Sequence, residues 1–148
     1  MQVRDIMTNR LAYCTPQANL EEVAEMMVQY DCGAIPVIDP GSSKALGLIT
    51  DRDIVCRAVA VHQNPAGMTA QEVMSEPVAA VTPQSSLEDC LAKMEAAQVR
   101  RMLVVDQAGK LCGLVSQADI VRVLPEHEIA QLLKDVSTPT GTASHQIH

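Results

Sequence analysis

The sequence predicts a mixed α+β (α/β) fold made of tandem β-α-β-β-α units. Three observations lead there. First, the 148-residue chain repeats itself. Sliding it by 67 aligns Met7 with Met74, Thr15-Pro16-Gln17 with Thr82-Pro83-Gln84, Leu20-Glu21 with Leu87-Glu88 and Met27 with Met94, with 10 identities in 37 positions from residue 3 to 39. The offset then falls to 66, and residues 44–55 match 110–121 at 6 of 12 positions. The one-residue difference falls at Pro40-Gly41-Ser42-Ser43 against Gln107-Ala108-Gly109, where a surface turn absorbs it. Second, each copy runs through the same order of strand-like and helix-like patterns. Third, 47% of residues are apolar yet the only aromatics are Tyr13 and Tyr30, so the core is built from Val, Ile, Leu, Met and Ala.

Each copy opens with a short apolar strand, 11–14 or 78–81, stopped by Thr-Pro. Asn19 or Ser86 then caps a helix, with Glu22 or Asp89 placed to complete a capping box. Leu20, Val23, Ala24 and Met27, and their counterparts Leu87, Cys90, Leu91 and Met94, recur at helical spacing. Two nearly all-apolar strands follow, 35–38 with 45–49 and 102–105 with 111–115, as expected for strands covered by helices. A second helix starts after Thr50 or Ser116. Residues 61–69, with Asn64-Pro65-Ala66-Gly67, read as a linker between repeats at 1–60 and 70–124. Pro125 opens an amphipathic helix over 125–136 whose stripe of Ile129, Leu132, Leu133 and Val136 is expected to dock on its own module or a second subunit. Residues 137–148 read as a disordered tail in which His145 and His148 are solvated.

Eleven Lys and Arg against 18 Asp and Glu leave a net charge of −7, which argues against nucleic acid and anionic membranes as partners. An anionic ligand would need local positive charge, and seven of the cations are Arg, whose fork suits phosphate. Cys14, Cys32, Cys56, Cys90 and Cys112 are odd in number and widely spaced, without C-x-x-C, which argues against a disulfide framework or zinc site. With no signal peptide and no membrane-length apolar run, a soluble, reduced, cytoplasmic protein is expected.

Each copy ends in Gly-Leu-Ile-Thr-Asp-Arg-Asp-Ile-Val (47–55) or Gly-Leu-Val-Ser-Gln-Ala-Asp-Ile-Val (113–121). Asp5-Ile6-Met7-Thr8, Ala34-Ile35-Pro36-Val37-Ile38-Asp39 and Val99-Arg100-Arg101-Met102-Leu103-Val104-Val105-Asp106 accompany them. This set, twice in order over residues 3 to 124, resembles the cystathionine-β-synthase (CBS) domain, and the tandem arrangement resembles a Bateman module. The segment Leu124-Pro125-Glu126-His127-Glu128 and the helix after it resemble the ends of stand-alone bacterial CBS-pair proteins, including the hypoxic-response group. The resemblance implies two repeats about a pseudo-twofold axis with two clefts between them. It further implies adenosine nucleotides (AMP, ADP, ATP) or S-adenosylmethionine as ligands, a face-to-face homodimer, and a signal passed to a separate protein. No resident cofactor is required; the nucleotide is a regulatory ligand, with Mg2+ as its companion ion.

Thr50-x-x-Asp53 and Ser116-x-x-Asp119 sit at strand-to-helix junctions, where a carboxylate can accept a ribose diol and a hydroxyl can face phosphate. The same spacing is also a plain capping box, so both readings stand. The resemblance assigns phosphate to the basic position at Arg100-Arg101. Strand alternation lets one of the pair face a given cleft, and Arg101 is the choice, leaving Arg100 as a solvated surface residue. The first repeat has Gly33 and Ala34 there, so one half lacks its phosphate clamp. Arg52 is a further cation, flanked by Asp51 and Asp53 and expected to pair with nearby acids. Family geometry would combine Asp119 and Ser116 with Ala12, Cys32, Gly33 and Pro36 in one cleft. The other would combine Asp53 and Thr50 with Ala79, Val99, Arg101 and Leu103.

Catalytic motifs are missing. There is no glycine-rich phosphate loop, no His near a Cys or Ser within either repeat, and no metal-ligand cluster, since His127-Glu128 is only a pair. The expectation is a regulatory nucleotide-binding module and not an enzyme; the alternative is a structural or interaction protein whose clefts bind nothing.

Overall fold

The computed structural model describes residues 1–76 and 80–136. The first copy contributes α1 (Leu20–Gln29), β1 (Ala34–Ile38), β2 (Ala45–Thr50) and α2 (Asp51–Ile54), which runs on as a wider π turn over Val55–Val59. The second contributes α3 (Ala70–Val73), α4 (Leu87–Ala97), β3 (Arg101–Val105), β4 (Leu111–Ser116) and α5 (Gln117–Val121), followed by α6 (Glu126–Val136). A short 3-10 turn at Val3–Asp5 is the first copy's counterpart of α3.

Two small antiparallel sheets result. Ile35 lies opposite Ile49 in one, and Met102 opposite Val115 in the other. Both hairpins shift register at the same place, Val37/Ile38 and Val104/Val105, so the duplication extends to an irregularity of the backbone. The first copy's early strand, 11–14, is shorter than predicted. Cys14 forms a single parallel bridge to Val37, with Cys14 N–H to Pro36 O and Ile38 N–H to Cys14 O both at 2.9 Å. Val81 bridges Val104 in the same way. The Thr-Pro that follows each removes a donor and turns the chain before a longer ladder can form. Part of the predicted strand 78–81, including Ala79, lies outside the described residues, as does the tail 137–148.

Asn19 and Ser86 cap α1 and α4 as expected, accepting from Glu21 N–H at 2.7 Å and Asp89 N–H at 3.1 Å. The reciprocal carboxylate bond expected from Glu22 and Asp89 is not among the hydrogen bonds of the described residues; α2 and α5 carry the complete capping boxes instead. In α4 all four predicted apolar residues are fully buried. In α1 Leu20 and Val23 are buried, but Ala24 faces solvent, and Met26 and Met27 fill the rim of the core in its place.

The two cores are assembled by exchange. Val3 N–H donates to Ser85 O and Arg4 N–H to Pro83 O, while Ala70 N–H donates to Ala18 O and Gln71 N–H to Pro16 O. Val3, Ile6 and Met7 therefore pack with Leu87, Leu91, Met94 and Val115, and Met68, Ala70, Val73 and Met74 pack with Leu20, Val23, Ile35 and Ile49. Each copy's leading segment completes the other copy's core. Burial of each large aliphatic side chain supplies about 1.5–3 kcal/mol to this arrangement. The crossing is close. A Cβ on Gly47 would lie 2.8 Å from Ser75 O, so that position requires glycine, and one on Gly113 would press on Met7 Sδ at 2.8 Å and Thr8 O at 3.0 Å. The hairpin tips also meet. Ala45 N–H donates to Gly109 O and Leu111 N–H to Ser43 O, which sets Lys44 directly opposite Lys110.

The helix α6 packs on its own module, against α4, with Leu124 and Leu132 on the second core. Among the described residues no helix is long and apolar enough to cross a membrane.

Candidate functional site

The strand-to-helix junctions come first, because they fix the carboxylates. Thr50 Oγ1 accepts from Asp53 N–H at 3.1 Å, and Asp53 Oδ2 accepts from Thr50 N–H at 2.9 Å. Ser116 and Asp119 repeat this at 3.1 and 3.0 Å. In each case capping uses one carboxylate oxygen and leaves the other. Asp53 Oδ1 accepts a long 3.4 Å bond from the Ser75 hydroxyl, and Asp119 Oδ1 faces Arg122 at 3.4 Å. The capping and ligand roles do not compete for the same atom. The ion pair found among the described residues is this Arg122–Asp119 contact; the pairing expected of Arg52 with its neighbouring acids is not formed. Arg52 points from an exposed turn where solvent screens such pairs.

A cleft of about 390 Å³ opens at the seam between the copies. Val99, Arg101 and Leu103, which the sequence reading grouped in one cleft, are among its lining residues. Asp53 joins them indirectly: Ser75 lines the cleft and its hydroxyl rests on Asp53, while Thr50 holds the carboxylate from behind. The exchanged segment supplies the wall that sequence reasoning missed, namely Met74, Ser75 and Glu76, together with Leu48, Arg57, Ala97 and Met102. Arg57 holds this wall in place, donating from one Nη to Val73 O and Met74 O at 3.0 Å each. The available signal was the Thr8/Ser75 correspondence, which marks a polar residue at the same step of both copies.

A second cavity, about 440 Å³, is lined by Arg100, Arg101, Ser116, Gln117, Ala118 and Val121. Here one expectation is corrected. Arg100 and Arg101 were expected to face different ways, but both line this cavity. Arg100 precedes β3 and follows the left-handed Gln98, so strand alternation does not govern it. Ser116 was expected beside Ala12, Cys32, Gly33 and Pro36. Ala12 and Cys32 are partly buried against the first core, and Pro36 is buried within β1, as its counterpart Leu103 is in β3. Gly33 faces Arg101: a Cβ there would meet Asp51 Oδ2 at 3.0 Å and an Arg101 Nη at 3.3 Å. The guanidinium of Arg101 thus reaches from the second copy across to the first, and it lines both cavities.

Burial pushes the Cys14 and Cys90 thiols up to about 11, which keeps them protonated and unreactive at neutral pH. Among the described residues no three His, Cys, Asp or Glu side chains come together to hold a metal ion.

Comparison with known proteins gives the following. The CBS domain model matches the chain twice, at residues 3–59 and 70–126. Hypoxic response protein 1 of Mycobacterium tuberculosis is 36% identical over 141 residues, spanning 95% of this chain and 97% of that protein. The crystal structure of Hypoxic Response Protein I, which holds two coordinated zinc ions, is similar with a TM-score of 0.74 and 34% identity, covering 84% of this chain and 100% of that one. CBSX2, solved in complex with AMP, is similar in fold at a TM-score of 0.71 and 23% identity, covering 82% of this chain and 94% of that one.

Proposed function

The chain belongs to the CBS-domain family, with the domain present twice, and from that premise we propose that it is a regulatory module that binds an adenosine nucleotide at the seam of its repeats. The observation that supports this best is the 390 Å³ cleft, whose volume falls in the range of small-molecule sites. Its Leu48, Val99 and Leu103 walls suit a purine without any aromatic. Asp53 has one carboxylate oxygen free of capping duty for a ribose hydroxyl, and Arg101 offers a guanidinium to phosphate. CBSX2, similar in fold, was solved with AMP.

The proposal assigns no reaction to the chain. Binding acts by shifting a conformational equilibrium, which a ligand does only through its difference in affinity for the two shapes. It includes a homodimer in the cytoplasm, adenine nucleotide as the small-molecule partner, with Mg2+ where the phosphates call for it, and a separate protein as target. The second reading, an interaction protein with empty clefts, is favoured on the first copy's side by Gly33 and Ala34, where no basic side chain is available.

Thermal unfolding with AMP, ADP, ATP, S-adenosylmethionine and NAD tests the choice. A ligand at a hundredfold its dissociation constant stabilises by about 2.7 kcal/mol, a rise of several degrees. No response to any of them would support the interaction protein. By titration calorimetry, Asp53→Ala is expected to weaken AMP binding about tenfold or more, and by more than Asp119→Ala does, because Asp53 adjoins the cleft that Arg101 lines. The reverse order would overturn the assignment of the cleft.

A further inference from the structure

The capping boxes that start α2 and α5 are alike, but the turns that follow them are not. After α5 the chain closes with α-type bonds, Arg122 N–H to Ala118 O and Leu124 N–H to Ile120 O. After α2 it widens into the π turn Val55–Val59. Bonds reaching back five residues close that turn, Ala60 N–H to Val55 O at 2.8 Å and Gln63 N–H to Ala58 O at 3.0 Å. A π turn is a rare backbone form, bordering on the α-helix it interrupts.

The same turn carries Arg57, whose counterpart at the offset of 66 is Val123, a residue with no side-chain donor. Arg57 grips the carbonyls of Val73 and Met74, the last residue and the cap of α3, at 3.0 Å each. Those residues lead into Ser75, which is pinned to Leu48 by two main-chain bonds of 2.9 Å. Met74, Ser75 and Arg57 itself all line the first cleft. On either side of Arg57, Ala58 is buried in the first core while Val55, Cys56 and Val59 are exposed. One guanidinium thus joins the cleft wall to a turn that reaches both the core and the solvent.

We infer that Arg57 is a positioning residue that carries the state of the cleft to the π turn. The inference rests on the nucleotide reading proposed above and concerns how that binding is passed on. A ligand lying against Met74 and Ser75 restrains their main chain. Arg57 transmits the restraint through the two carbonyls it holds, and the π turn opens less often. The second copy has neither the π turn nor the arginine, so the signal leaves through the first copy.

Hydrogen exchange followed by mass spectrometry tests this in the unaltered chain, Arg57→Lys and Arg57→Ala, each without nucleotide and at AMP or ATP concentrations that calorimetry shows to be saturating for it. Nucleotide is expected to slow exchange over residues 55–63 of the unaltered chain by about threefold or more, and to slow residues 121–124 less. Arg57→Lys is expected to keep this response, because an ammonium can still donate to both carbonyls. Arg57→Ala, with its cleft filled, is expected to lose it. Nucleotide that binds the unaltered chain without slowing residues 55–63 overturns the coupling and leaves the nucleotide module standing. Equal slowing over 55–63 and 121–124, or slowing undiminished in Arg57→Ala, does the same. Binding of neither nucleotide to the unaltered chain overturns both.

Discussion

In Asp53 and Asp119 capping engages only half of the carboxylate. Both close capping boxes through a single oxygen, so the S/T-x-x-D spacing was legible as local structure, while the proposed ligand role calls on the other oxygen. The sequence did not reveal that Ser75, from 22 residues further along, would rest on the free oxygen of Asp53. Other single residues carry sharper expectations. Cys56 is exposed, whereas Cys14 and Cys90 are raised from 9.0 to about 11 by burial. At a given pH below 9, two units correspond to about a hundredfold less thiolate, so Cys56 is expected to alkylate first and the buried pair only on unfolding, as mass spectrometry of iodoacetamide-treated protein would show. Because their folded values lie above the unfolded one, these thiols cost no stability below pH 9.0 and remove it as pH rises toward 11. Asp39 has the opposite sign. The Ser42 hydroxyl, at 2.7 Å, and its N–H hold the Asp39 carboxyl below its ordinary value. That contribution is present above the usual carboxylate range and is lost as pH falls through the lowered value. Ser42→Ala should return the Asp39 titration toward normal in an NMR pH series.

Among the elements, the helices and the four strands of the hairpins were readable because their periodicities are sustained and capped. The first early strand was overread, since among residues 11–14 before Thr-Pro only Cys14 forms a bridge. The hairpin tips and the crossing of the leading segments left no local mark, for they depend on approach between distant parts of the chain. Gly47 shows the consequence. Its repeat in Gly113 was visible as an identity, but the reason is the main chain and Met74 side chain of the exchanged segment within 3 Å of any added Cβ. Gly47→Ala is expected to destabilise by about 1–3 kcal/mol, read as a loss of several degrees in melting temperature. It should also weaken nucleotide binding, because Met74 and Ser75 line the cleft. At the hairpin tips, Lys44 and Lys110 face each other as like charges. Lys44→Glu turns repulsion into attraction and is expected to stabilise by a few tenths of a kcal/mol, up to about 1, with the gain shrinking in high salt.

On the scale of the whole molecule, the duplication could be read from the alignment, while the exchange could not, since either pairing of leaders with cores satisfies the same apolar pattern. The exchange decides which pieces can stand alone. A fragment cut by sequence repeat, residues 1–60, lacks Met68, Ala70 and Val73 and keeps Val3 with nothing to cover. A fragment covering residues 8–76 contains every residue of the first core. The longer piece is expected to give a cooperative melting transition by circular dichroism and the shorter one none; the reverse would contradict the assignment of the cores.

That interlocking reaches to the connection itself. Residues 61–64 are exposed and lie outside both cores. A protease nicking the backbone there would sever the covalent thread and leave the fabric intact. Each piece would still hold a tab buried in its neighbour, so the two would travel as one species through gel filtration and part only in denaturant.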